Sequence, residues 1–138
     1  MPSTTAQAAA TGLPETDFAA QIFPQTKLAS MSMQDLAALS QLLWALQGAI
    51  TQSSLINAPG PVTPACEMLQ DLSAVVICGL SDIATIAQAH RPASVAEARW
   101  RGWLLMCSAA QFCTDLADMS VAAARVAADE STAGPCPH

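Results

Sequence analysis

The chain has 138 residues, enough for one domain with a sizeable core. Hydrophobic residues make up 52% and charged residues 12%, about half the usual charged share, so little polar surface is available and an oligomer is favoured over a lone monomer. A formal charge of −6 argues against binding a nucleic-acid backbone, which requires a basic face.

Residues 1–30 read as a loosely structured N-terminal arm. Met1 to Gly12 has no repeating apolar face. Phe18, Ile22 and Phe23 then cluster before Pro24, with Thr16 or Asp17 as a cap for a short helical turn. Three large apolar side chains so close together predict an arm that docks on the helices behind it.

The first long helix is expected from about Met33 to Leu55. Ser32 is its cap, with Asp35 three residues on. Leu36, Leu39, Leu43, Leu46 and Ile50 form the core stripe, which Leu42 and Ala49 widen, and Trp44 lies off it. Asn57-Ala-Pro-Gly-Pro61 breaks the helix and turns the chain into an antiparallel neighbour. The second helix starts at Thr63-Pro64, a capping residue followed by a first-turn proline, and runs to about Ala89. Its two adjacent stripes, Leu69-Leu72-Val76-Gly79-Ile83-Ile86 and Ile77-Leu80-Ala84-Ala87, predict the most buried helix.

Ser94 with Glu97 is a capping-box pattern, and no proline follows until Pro135. The spacing predicts one long helix from Ser94 to Asp129. Val95, Ala98, Gly102, Leu105, Ala109, Phe112, Leu116, Met119, Ala123 and Val126 repeat every 3.5 residues along one side. A second apolar face, Trp100, Trp103, Leu104 and Cys107, stands at i, i+3, i+4 and i+7 and points elsewhere. A helix apolar on two sides must be covered on two sides. With helices one and two assigned to the first stripe, a second copy of the chain is the expected cover for the other. Arg99 and Arg101 are expected at the rim of that contact, since tryptophan and arginine are enriched at interface hot spots.

The chemistry-bearing residues give no site. Two histidines, His90 and His138, form no Glu-x-x-His pair, so no metal or other cofactor is expected. No phosphate-binding glycine loop and no nucleophile elbow are present, and Asp115 and Asp118 fall on a polar helix side. Five scattered cysteines without a Cys-x-x-Cys pair fit a reducing cytoplasm. The N-terminus has no basic residue before Lys27 and so lacks the form of a secretory signal, and no apolar run approaches the roughly 18 residues of a membrane span.

The sequence therefore predicts an all-α protein: a bundle of three long helices over 31–130 behind the arm, with a frayed tail at 131–138. The expected function is that of a non-enzymatic interaction protein, a regulator or adaptor that forms a homodimer and binds another protein. Its alanine-rich composition suggests a bacterial source. The alternative is a helical module that holds a small apolar or anionic ligand between its helices.

Overall fold

The computed structural model describes residues 15–112 and 116–132. Every regular element among them is helical: α1 (Glu15–Ile22), α2 (Gln25–Ala29), α3 (Met33–Thr51), α4 (Pro64–Ala89), α5 (Val95–Phe112) and α6 (Leu116–Thr132). Three of the helix starts follow from local chemistry. Ser32 Oγ accepts from the Asp35 amide at 3.1 Å and donates to the Asp35 carboxylate at 2.7 Å. Thr63 Oγ1 accepts from the Cys66 amide at 3.3 Å, with Pro64 opening the helix where a missing N–H costs nothing. Ser94 Oγ accepts from the Glu97 amide at 3.2 Å, but the Glu97 carboxylate reaches past the cap to the Ala93 amide, at 2.7 Å.

The expected third helix is two helices. α5 ends at Phe112, α6 begins at Leu116, and the two lie antiparallel along each other. Arg101 pairs with Asp129, and Gly102 faces Val126. In one straight helix Arg101 and Asp129 would stand about 42 Å apart. Gly102 permits the close approach: a methyl group there would come within 2.7 Å of Val126 Cγ1. The fold thus supplies from its own chain a cover for the α5 stripe that carries Gly102, and the three expected long helices become four.

The α3–α4 hairpin is antiparallel as expected, and the Gln47 amide donates to Ser73 Oγ across it at 2.9 Å. α5 covers one side of this hairpin. Ser40 and Trp44 of α3, Leu80, Ile83 and Ala84 of α4, and Leu104 and Ser108 of α5 all border one small internal space. The arrival of α5 on that side rotates α3. Ala37 and Ser40 are buried along with Leu36, Leu43 and Ile50, whereas Leu42 and Leu46, expected in or beside the core, are exposed.

α1 and α2 lie on the opposite side of the hairpin, giving three layers. The Phe23 ring seats on Gly79, where a Cβ would meet Phe23 Cδ2 at 2.8 Å, and the Gln25 amide donates to Asp82 at 3.4 Å. Leu28 joins Met33, Leu36, Ala37, Val76, Leu80, Ile83 and Leu104 in the core. From Glu15 onward, then, the expected loose arm is helical and docked, while residues 1–14 lie outside the described part. The docking uses Phe23; Phe18 and Ile22, expected to share it, are about half exposed because Ala19 and Phe23 occupy the inward side of the turn.

α4 is the central strut, although its first half is not the buried core that its stripes suggest. Met68, Leu72 and Ile77 are all exposed. An 18-residue window of this helix has a mean hydropathy of 1.6, so by length and composition alone it could cross a bilayer. Serines and two aspartates interrupt every apolar run without lowering that average far.

The anchoring role of Phe23 is directly measurable. Phe23→Ala should cost about 1–3 kcal/mol, less than the loss of a fully buried ring, whereas Phe18→Ala should stay within about 0.5 kcal/mol. Urea unfolding followed by circular dichroism compares the two, and equal effects would show that the Phe23 ring is not the anchor.

Candidate interaction surfaces

The residues expected to form a dimer contact divide between the core and the surface. Leu104 is buried between α3, α4 and α5. Arg101 is buried as well, and its role differs from the expected place at an interface rim. Its Nε donates to the Ala87 carbonyl at 2.7 Å and its Nη2 to the Gln88 carbonyl at 3.1 Å, while Nη1 pairs with the Asp129 carboxylate. The guanidinium caps the C-terminal carbonyls of α4, where a positive charge is favoured, and ties α6 to the same point. Burial, with the nearby Arg125 charge adding to it, lowers its pKa from the ordinary arginine value. Both residues are therefore taken out of any surface contact.

Trp100, Trp103, Cys107 and Arg99 remain. Trp100 is 37% exposed, Trp103 packs against the core while staying only half-buried, Cys107 is half-buried, and Arg99 is exposed. These four are what the expected tryptophan surface retains. Burial pushes the Cys107 thiol pKa up, which reduces the thiolate needed for nucleophilic chemistry. Among the described residues, no group of three or more His, Cys, Asp or Glu is placed to hold a metal ion.

A second group of exposed apolar residues lies on the other side of the molecule, and it includes Leu42, Leu46 and Leu72, expected in or beside the core. On α4, Met68, Leu72, Val75, Gly79 and Asp82 follow at three- and four-residue steps, so they share one side. Phe23 and Gln25 identify that side as the one carrying α1 and α2. The two short helices cover only the Gly79–Asp82 half. Toward the start of α4, Met68 is 73% exposed and Leu72 is also exposed. Leu42 and Leu46 stand on the corresponding side of α3, nearly half a turn from Trp44, with Leu42 69% exposed. Phe18 and Ile22 add two exposed apolar side chains on the covering layer.

Charge on the α3 and α4 part of this side is acidic, and Lys27 of α2 is the base on the covering layer. No Lys or Arg occurs between Lys27 and Arg91, and no charged residue of either sign or histidine occurs from Leu36 to Cys66. Asp71 falls beside Met68 and Leu72, while Asp82 accepts from Gln25 of α2 and Asp35 lies at the α2 end of the hairpin. The basic residues Arg91, Arg99 and Arg101 belong to the far end, around the α4–α5 connection, where Glu97 pairs with His90 at 3.6 Å.

Space between the helices varies along the bundle. The internal void shared by α3, α4 and α5 is about 10 Å³, the limit for one water. Wider clefts open at the other end of the bundle: one of about 360 Å³ beside the α3–α4 connection, lined by residues including Leu55, Val62 and Cys66, and one of about 330 Å³ between Trp44, Ile77 and Gln111. Comparison with protein-family models, with curated proteins and with solved structures finds no match.

Two measurements test the charged end. Arg101→Met should destabilise the protein by about 3–5 kcal/mol, because Asp129 and the α4 carbonyls lose their buried partner. Urea unfolding of the variant reads this, and a loss under about 1 kcal/mol would mean the guanidinium is solvated. For Glu97, the Ala93 amide chiefly holds the carboxyl below its ordinary value; partial desolvation opposes this and His90 adds to it. A depressed folded pKa contributes stability above the ordinary glutamate value of about 4.3 and loses it as pH falls through the folded value. The stability difference between wild type and Glu97→Gln should therefore shrink with acidification below that point, measured as melting temperature against pH. A constant difference would refute the assignment.

Proposed function

We propose that this chain is a non-enzymatic protein-interaction module, a regulator or adaptor that works as a homodimer. The observation that carries this reading is the apolar, base-free flank of α3 and α4, with Leu42, Leu46, Met68 and Leu72 exposed beside a docked arm. Folded monomers seldom leave a contiguous apolar strip in water without a use for it. A reducing cytoplasmic setting belongs to the same proposal, consistent with free thiols at Cys66, Cys78 and Cys107.

The homodimer is assigned to the outer side of α5, centred on Trp100 and Trp103 with Arg99 beside them. One patch then serves both subunits about a two-fold axis. Leu104 and Arg101 stabilise the protomer beneath it and make no contact with the partner.

Sedimentation velocity tests the dimer. Wild type at tens of micromolar should sediment as a dimer, and Trp100→Glu as a folded monomer with unchanged circular dichroism. Loss of a central interface tryptophan weakens association by about thirty-fold or more. A wild type that is monomeric at this concentration would end the homodimer part of the proposal.

A further inference from the structure

We infer that the outer side of α5 is the docking surface for an acidic segment of another protein, which carries apolar anchors and takes the place of the second copy there. This rests on the homodimer reading and names what exchanges with it. Area is the first feature. Trp100 is 37% exposed, so its ring leaves at most about 90 Å² in water, and Trp103 is half-buried. A stable interface takes roughly 800 Å² from each partner. A two-fold contact centred on these rings is therefore weak and exchangeable. Two partly exposed tryptophans match the one or two anchor residues of a short segment.

The second feature is charge. Arg99 and Trp103 are four residues apart and share one side of α5, with Trp100 beside them. Arg99 is exposed and makes no ion pair among the described residues, and Arg91 stands exposed in the connection that enters α5. The acids of this end are engaged: Glu97 by the Ala93 amide and His90, Asp129 by Arg101. Asp82 accepts from Gln25 on the opposite side of the hairpin. Asp71 stands about 27 Å back along α4 from Ala89, some three Debye lengths at physiological salt. The net charge of −6 therefore does little to repel an acidic segment here. A two-fold contact brings the patch to its own image, so each copy meets an arginine that nothing on the patch neutralises. An acidic segment supplies the missing carboxylates while its apolar residues cover the rings.

The test uses the full chain and two labelled synthetic peptides of about 15 residues with the same leucine and phenylalanine positions. One carries glutamates between them and the other lysines. Fluorescence anisotropy should show saturable binding of the glutamate peptide and at least about tenfold weaker binding of the lysine peptide. Unlabelled glutamate peptide should also convert the sedimenting dimer to a peptide-bound monomer. Arg99→Glu should weaken the glutamate peptide by about tenfold or more. Lys27→Glu makes the same charge change at an exposed residue of α2 and should leave binding within about twofold. Equal losses in the two variants would reduce the binding to bulk charge and overturn the docking surface, as would equal binding of the two peptides. A glutamate peptide that binds without dissociating the dimer occupies another surface, which also overturns the proposal. Dimeric wild type that binds neither peptide would remove the docking surface and leave the homodimer standing. Monomeric wild type that binds the glutamate peptide through Arg99 would remove the homodimer and uphold the docking surface.

Discussion

A small bundle can hold a buried cation only if the groups around it supply acceptors in place of water, and Arg101 draws its acceptors from two other helices. The Ala87 and Gln88 carbonyls end α4, Asp129 lies near the end of α6, and Arg101 stands nearly two turns into α5. The ends of α4 and α6 are thereby fixed to the first half of α5. The α5–α6 hairpin, with Ala98 and Leu105 buried on α5, packs beside that meeting point. The Ser94–Glu97 cap and the His90 contact build the connection that delivers α5 to it. The opposite end has no comparable polar anchor among the described residues and rests on apolar contact and on the Gln47–Ser73 hydrogen bond.

Local chemistry was the most legible part of the sequence. Ser32, Thr63 with Pro64, and Ser94 with Glu97 each mark a helix start that the structure has, because a cap is decided by neighbours a few residues away. The split between α5 and α6 was not legible from periodicity. An antiparallel pair faces itself along a single stripe, so the same apolar repeat continues through both arms whether the helix is straight or folded. Gly102 and Val126 both belong to that repeat, and it carries no information on whether they touch. The better signal was Thr114-Asp115 ahead of Leu116, residue types that favour helix starts and that also suit a polar helix face.

The candidate surfaces were half legible for a related reason. Hydrophobicity identifies what must leave water but not which neighbour provides the cover. Trp100, Trp103, Leu104 and Cys107 form one group in sequence, yet α3 and α4 take Leu104 and leave Trp100 partly exposed. On α3 the error runs the other way. Leu42 and Leu46 have the larger side chains, but the small Ala37 and Ser40 turn inward because close packing with α5 needs little bulk there. Arg101 was misread for a similar reason, since its charge suggested a rim while its acceptors come from backbone that no sequence pattern displays.

The principal packing of α6 is on α5, and its sequence is largely alanine with few large side chains. Its hold on the bundle is its packing along α5, with Gly102 against Val126, together with the Arg101–Asp129 pair. Parting α6 from α5 strips Arg101 of its carboxylate and leaves a charge half-enclosed against the end of α4. Separation of the two helices is thus penalised by electrostatics as well as by lost packing. The ion pair couples the end of α6 to the end of α4, two helices that make their contact through one side chain of α5.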